Sequence, residues 1–156
     1  MGLRDDILKQ PINNLPARPI ILVQPNVTVR DAIGRMIAEG VGSVFVVNDQ
    51  GKIHGKFSER MLIKLLASGK AFLDEPVGDH AGEFWAVVSQ KEAISQVVHK
   101  LTEHRMHHLA VVDDSGKPVS MVGQRSLMRY LADHFPRIVQ AQLAESKLYV
   151  EHREGA

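Results

Sequence analysis

The apolar and polar residues of this chain alternate in a pattern that predicts a helix, two strands and a second helix, and the same pattern then recurs. The apolar residues of the first predicted helix share one face, because they recur at positions i, i+3, i+4, i+7 and i+8. They are Val29, Ala32, Ile33, Met36 and Ile37. Thr28 precedes this face as an N-cap, and Gly40 follows it as a helix stop. The face recurs in the second half of the chain at Ile94, Val97, Val98 and Leu101.

Each of these helices is followed by two short apolar runs that a turn separates. The runs lie at 44–47 and 52–57 in the first copy and at 109–112 and 117–122 in the second. The turns end in Gly51 and Gly116, where glycine favours a positive φ, so each pair of runs predicts a β-hairpin. A second helix is predicted after each hairpin, over residues 58–67 and 123–132, with Leu62, Leu65 and Leu66 inward in the first copy and Leu127 and Leu131 inward in the second.

Extended lead-in strands are predicted before each copy, at 20–23 and at 84–88. Residues 68–82 are rich in glycine and contain Pro76, which predicts a linker. A further helix is predicted from Pro136, because proline is favoured at the first helical position. Its apolar stripe is partial, so we expect the tail to pack on a partner.

The two copies align with one constant offset. Placing Gly51 on Gly116 gives an offset of 116 − 51 = 65 residues, and residues 28–67 then match residues 93–132 without a gap. A repeat of this length is a duplicated small domain, since solenoid units run about 20–50 residues. One unit of about 60 residues buries little surface alone. We therefore expect the two copies to pack against each other and to form two related clefts.

Composition excludes several classes of function. The 156 residues carry a net charge of +1, which gives no reason to expect nucleic acid or a membrane surface as a partner. The chain has no cysteine, so it has neither a disulfide framework nor thiol chemistry. Arg4, Asp5 and Asp6 stand where a secretion signal would need an apolar run, and no stretch is long enough to span a membrane. We expect a cytoplasmic protein.

The repeated motifs resemble a CBS-domain pair, also called a Bateman module, and specifically a stand-alone protein of two CBS repeats. The likeness rests on Val41 to Val47, Gly51-Lys52 and Gly55 to Arg60 in the first copy, and on His107 to Asp113 and Arg125 in the second. It divides the chain into repeats at 16–75 and 76–135, followed by a C-terminal helix and tail at 136–156. The resemblance implies an α/β (α+β) fold, with each repeat β-α-β-β-α and the two packed about a pseudo-two-fold axis.

The same resemblance implies a regulatory function. Members of the family bind adenine-containing ligands between the repeats, such as AMP, ADP, ATP, NAD or S-adenosylmethionine, and pair into disc-shaped dimers. They regulate another protein and are not themselves catalysts. We therefore expect a small adenine-containing ligand, no obligatory cofactor, a homodimer and a regulated protein that the sequence does not name. The alternative is an interaction module that dimerises and binds no small ligand. No catalytic motif supports an enzyme.

The start of each second helix is the candidate ligand site. Its backbone N–H groups and helix dipole favour an anion. Ser58 adds a hydroxyl there and Arg60 a guanidinium suited to phosphate, and Gly123 and Arg125 repeat the arrangement. We expect the two helix starts to meet in one electropositive notch, in which Arg60 and Arg125 hold phosphate. The alternatives are that Ser58 only caps its helix and that both arginines are solvated.

Ser43 and His108 occupy equivalent positions at the start of the inner strand and are the other candidate ligand contacts, since His108 could donate to a phosphate. The chain departs from the family at the residue after each arginine. Family members that hold a nucleotide well carry Asp there to bind the ribose, whereas this chain has Met61 and Ser126. Ser126 offers one neutral partner and Met61 no strong acceptor. Weak binding, a ligand without ribose and an empty second site all stay open.

Other groupings of polar residues have simpler interpretations. The eight histidines suggest a metal site, but His99 and His104 lack the i, i+4 spacing of a helical site and no cysteine accompanies them, so we expect no metal. Asp113 and Asp114 form a carboxylate pair that turn chemistry explains. Trp85 could stack on a purine, but we expect it in the core or at a dimer interface.

Overall fold

The computed structural model describes residues 3–84 and 86–135. The predictions for Trp85 and for the tail at 136–156 lie outside these residues. The helices are α1 Leu3–Lys9, α2 Val29–Glu39, α3 Glu59–Ser68, α4 Val77–His80, α5 Ile94–Glu103 and α6 Gln124–His134, with one 3₁₀ turn at Ile12–Asn14. The strands are β1 Leu22–Val23, β2 Ser43–Val47, β3 Ile53–Ser58, β4 Gly82–Glu83, β5 Val87–Ser89, β6 His108–Val112 and β7 Pro118–Gly123.

The two repeats have the same strand topology. One sheet has the order β1-β2-β3-β4 and the other has the order β5-β6-β7. In each repeat the lead-in strand runs parallel to the central strand, and the central strand pairs antiparallel with the next strand through a hairpin. A helix follows each lead-in strand and each hairpin. This mixed α and β fold, with tandem β-α-β-β-α units, confirms the fold that the sequence predicted.

The capping and turn residues of the sequence lie at the ends of the elements that they predicted. The Thr28 hydroxyl accepts a hydrogen bond from the Asp31 N–H at 3.1 Å, so it caps α2 as expected. Gly51 and Gly116 end the two hairpin turns with φ of 75° and 82°, a region that side chains with a Cβ rarely adopt. Asp113 also serves its turn, because its carboxylate accepts hydrogen bonds from the backbone N–H groups of Ser115 and Lys117.

The Asp113 carboxylate is therefore a turn residue and not half of an acid–base pair. The Ser115 hydroxyl donates to it at 2.6 Å, and this bond, followed by the one from the Lys117 backbone, holds the pKa of Asp113 below its usual value. Asp114 instead accepts a bond from the Lys91 ammonium at 2.7 Å.

Some residues at the edges of the predicted apolar faces point to solvent. Ile37 is 76% exposed and Leu66 is 63% exposed, although both were expected to face inward. Leu131, at the position equivalent to Leu66, is also exposed. The edges of these apolar stripes are therefore not covered by other described residues.

The segments that lead into the repeats are exchanged between the two sheets. Residues 68–82, predicted as linker alone, include α4, and β4 follows directly and pairs antiparallel with β3 of the first repeat. In the opposite direction, Arg18 pairs with Met121 on β7 of the second repeat, through two backbone hydrogen bonds of 2.9 Å. The segment before each repeat is thus attached to the sheet of the other repeat.

The N-terminal segment packs into the core of the second repeat. Ile12 and Leu15 are buried in the cluster that contains Ile94 and Leu109. The Ile12 N–H donates to the Glu92 carbonyl at 3.0 Å, which fixes the segment along the start of α5. Nothing in the local pattern of residues 3–15 indicated this contact. None of the described helices is both long enough and apolar enough to cross a membrane.

Candidate functional site

A cavity of about 600 Å³ lies between the two repeats, and we call it the first cleft. The first repeat lines it with Ser43, Lys56, Ser58 and Arg60, and the second repeat lines it with His107, His108 and Met121. Arg18 and Phe84, from the exchanged segments, complete these walls. The cavity therefore exists because each repeat completes the other's surface.

The candidate residues of the first repeat come together in this cleft. Ser43, buried on β2, lies directly opposite Ser58 at the end of β3. Ser58 precedes α3, but among the described residues its hydroxyl makes no capping hydrogen bond. The interpretation that Ser58 only caps the helix therefore loses its main support. The Glu59 N–H, the first of α3, donates to the Gly42 carbonyl at 3.0 Å, so this group is not available to an anion.

The corresponding residues of the second repeat line a smaller cavity of about 220 Å³, the second cleft. Here His108 lies opposite Gly123, and Arg125 lines the opening. A Cβ placed on Gly123 would lie 2.3 Å from the His107 carbonyl oxygen and 2.8 Å from the His108 Cα. Because the two strands approach so closely, only glycine fits at this position.

Ser126 is turned into the start of its helix. Its side chain is 2% exposed, and its hydroxyl accepts a hydrogen bond from the Gly123 N–H at 3.3 Å. Ser126 and Arg125 also line a groove of about 490 Å³ on the outer side of the second cleft, together with Arg18 and Arg129. The hydroxyl that was to replace the family carboxylate therefore already has a protein partner.

Arg60 and Arg125 do not share a notch, which corrects the expectation from the sequence. Arg60 lines the first cleft, whereas Arg125 lines the second cleft and the outer groove, and both side chains are exposed. Each helix start follows its own hairpin, and the residues that line both cavities include His107 and His108. The two guanidinium groups belong to separate cavities.

Lys56 is a functional candidate that sequence reasoning missed. Its ammonium lies 5.5 Å from the centre of the Phe84 ring and 6.0 Å from that of Phe45, within cation–π range. Burial lowers the pKa of Lys56 from 10.5 to about 8. The signal that could have identified it was a lysine directly beside Phe57, near the end of the predicted strand at 52–57.

His108 lies against the same aromatic side chains. Its ring stacks on Phe84 at a centroid distance of 6.4 Å and meets Phe45 edge-on at 6.0 Å. Burial, reinforced by the nearby charges of Lys56, Arg18 and His107, lowers the pKa of His108 to about 4. The imidazole is therefore neutral near pH 7, and its Nε2 is buried without a hydrogen-bond partner among the described residues.

The first cleft carries an excess of positive charge. Four cationic side chains line it, against the two carboxylates of Glu59 and Glu83. The cations are Arg18, Lys56, Arg60 and Arg105. Within residues 3–84 and 86–135 none of these four forms an ion pair with a carboxylate. Unpaired cations around a hollow, beside an unsatisfied imidazole nitrogen, favour an anionic ligand.

The histidines are not arranged for metal binding in the described part of the chain. There, no three His, Asp or Glu side chains come close enough together to hold an ion. His99 and His104 instead lie 3.1 and 3.5 Å from the Glu103 carboxylate.

Known proteins are similar to this chain in sequence and in fold. A curated relative, an uncharacterised 17.7 kDa protein of Acidianus ambivalens, is 25% identical over 122 residues, which span 78% of this chain and 73% of the relative. The crystal structure of an uncharacterised conserved protein from Pyrococcus horikoshii superposes with a TM-score of 0.67 at 25% identity, over 78% of this chain and 92% of that one.

Another solved structure is the CBS domain pair of protein MJ0100 in complex with 5-methylthioadenosine and S-adenosylmethionine. It superposes with a TM-score of 0.65 at 19% identity, over 81% of this chain and 96% of that one. The CBS domain model matches this chain twice, at residues 12–68 and 77–133. The chain therefore belongs to the CBS-domain family, as a protein with two CBS repeats.

Proposed function

We propose that this protein is a regulatory module that binds an adenine-containing anion in the first cleft. The observation that carries the proposal is that Lys56 and His108 lie close to each other in this cleft. A half-buried ammonium with no carboxylate partner among the described residues lies beside an imidazole whose Nε2 is unsatisfied. Both groups are costly to bury as they stand, and a phosphate or carboxylate placed between them would reduce that cost.

The other residues of the first cleft suit the remaining parts of such a ligand. Phe84 and Val41 supply apolar surface for a purine, while Ser43 and Ser58 supply hydroxyls. The cavity of about 600 Å³ falls within the usual range of small-molecule sites. The MJ0100 domain pair, solved in complex with two adenosine derivatives, supports the adenosine part of this ligand. AMP, ADP, ATP and NAD are the anionic candidates, and S-adenosylmethionine, which has a carboxylate but a net positive charge, is the remaining one.

Met61 stands where family members that hold a nucleotide well carry an aspartate. A Cβ placed on Gly82 would lie 2.6 Å from the Met61 Cε, so this side chain lies over β4. Loss of a charge-assisted bond to ribose removes about 1.5–3 kcal/mol, which weakens binding about ten- to a hundredfold. We therefore propose that recognition depends on the anionic group more than on the ribose.

Calorimetric titration of the protein with AMP, ATP, NAD and S-adenosylmethionine, with adenosine as the uncharged control, tests this proposal. We expect AMP or ATP to bind at least about tenfold more tightly than adenosine, since charge-assisted contacts contribute about 1.5–3 kcal/mol each. The affinity should fall as salt is added. If none of the probes binds at millimolar concentration, the ligand-binding proposal is wrong.

The second candidate function is an interaction module that acts by dimerising. Ile63 and Leu66 on α3 are 65% and 63% exposed. Met128 and Leu131 repeat them on α6 under the same offset of 65 residues and are also exposed. An apolar face that occurs in both repeats favours association with a second copy. A monomeric mass by light scattering at high concentration would contradict this candidate.

A further inference from the structure

The first and second clefts have one wall in common. Arg18, His107, His108 and Met121 line both cavities. The Arg18 backbone is fixed to Met121 by two hydrogen bonds, and its side chain also borders the outer groove. The guanidinium that could hold an anion in the second cleft is therefore the same group that faces the first.

The second cleft has fewer groups of its own for an anion. Under the offset of 65 residues Met121 stands where the first repeat has Lys56, so the lysine is not repeated. The close crossing of Gly123 with the His107–His108 backbone narrows the second cleft, whose volume is about 220 Å³ against about 600 Å³ for the first. Among residues 3–84 and 86–135, Arg125 is the one permanently charged side chain that lines it apart from the shared Arg18.

We propose that this chain binds one anionic ligand at a time, in the first cleft, although its two repeats form two clefts. This inference rests on the proposed function. An anion in the first cleft draws on Lys56 and His108 and on the shared Arg18. The Arg18 guanidinium would then already be bound to the first anion when a second anion entered the second cleft. The two anions would also repel each other across the shared wall. The duplicated fold thus contains one anion-binding site.

The chain offers a matched pair of variants to test this, because Arg60 and Arg125 occupy equivalent positions in separate cavities. Both side chains are exposed, so neither substitution should disturb folding. Calorimetric titration with AMP, and separately with ATP, should give one molecule per chain. Arg60→Ala should weaken binding about tenfold, and Arg125→Ala should change it by less than about twofold.

Two molecules bound per chain would overturn single occupancy and leave the proposed function standing. If Arg125→Ala weakens binding as much as Arg60→Ala does, the ligand is not confined to the first cleft and the placement of the site is wrong. If neither AMP nor ATP binds, the inference fails, and the proposed function fails with it only when NAD and S-adenosylmethionine do not bind either. Stoichiometry and affinity are read from the same titration, so the two failures are told apart directly.

Discussion

His108 lies directly opposite Gly123 on the β6–β7 ladder, at the place where the first repeat pairs Ser43 with Ser58. The two pairs differ for one reason. The backbone around His107 and His108 comes so close to position 123 that a Cβ there would overlap the His107 carbonyl oxygen. The absent side chain at position 123 therefore makes room for the backbone of the facing strand, and this close approach distinguishes the second cleft from the first.

Gly123→Ala should destabilise the protein. The added methyl group meets backbone atoms of the neighbouring strand, which cannot rotate away, so a cost of about 1–3 kcal/mol is expected. Gly34→Ala is the control, because none of the described residues would contact its Cβ within 4 Å, and alanine in a helix should stabilise by about 0.5–1 kcal/mol. Urea denaturation of both variants measures the difference, and equal stabilities would contradict the close crossing.

Lys56→Met should raise stability and lower anion binding together. The pKa of Lys56 is lowered by burial, which means that the folded protein holds this charge at a cost. Methionine removes the charge and keeps the chain length, and the second repeat already has Met121 at this position. We expect a higher melting temperature and about a tenfold loss of ATP affinity.

Lys52→Met is the matched control for that variant, since Lys52 is an exposed lysine in the adjoining turn. It should leave the melting temperature and the ATP affinity nearly unchanged. An unchanged ATP affinity in Lys56→Met would show that the ligand does not contact this ammonium.

His108 should make the protein less stable in mild acid. Its pKa falls from 6.5 to about 4 on folding, because of burial and of the charges on Lys56, Arg18 and His107. The unfolded chain therefore binds a proton between these values that the folded chain does not, so stability is lost as the pH falls from 6.5 towards 4. His108→Gln should reduce the slope of the unfolding free energy against pH by the equivalent of up to about one bound proton. Denaturation midpoints measured across the interval test this, and identical slopes would disprove it.

Leu15→Ala should be costly, although Leu15 precedes the first repeated unit. The side chain is 4% exposed in the core of the second repeat, and truncation of a buried leucine costs about 2–5 kcal/mol. Leu66→Ala serves as the comparison, because Leu66 is largely exposed and its truncation should cost no more than about 0.5 kcal/mol. Similar costs for the two variants would place the N-terminal segment outside the core.

The sequence predicted the features that short stretches of chain determine. The helix that Thr28 caps, the hairpins that end in Gly51 and Gly116, and the duplication itself depend on neighbouring residues or on direct repetition. The pairing of Arg18 with Met121 joins residues far apart in the chain, and no local pattern encodes it. The separation of Arg60 from Arg125 depends on that long-range packing, so the sequence alone suggested a shared notch.

The same limit applies to the residues of the site. Ser43, Ser58 and His108 were identified because their positions match a repeated motif. Lys56 and Arg18 are not repeated, since the residues at the equivalent positions are Met121 and Glu83. The repeated motif therefore does not identify them. Only the packing of the two repeats against each other places them in the first cleft.

The exchange of lead-in segments has a consequence for how the molecule comes apart. Lys70 is exposed between α3 and α4, where trypsin could cut the chain. The N-terminal fragment would still hold β7 through Arg18, and the C-terminal fragment would still hold β3 through β4. The nicked protein should therefore migrate as an intact particle on gel filtration and separate only in denaturant, since each piece carries an edge of the other's sheet.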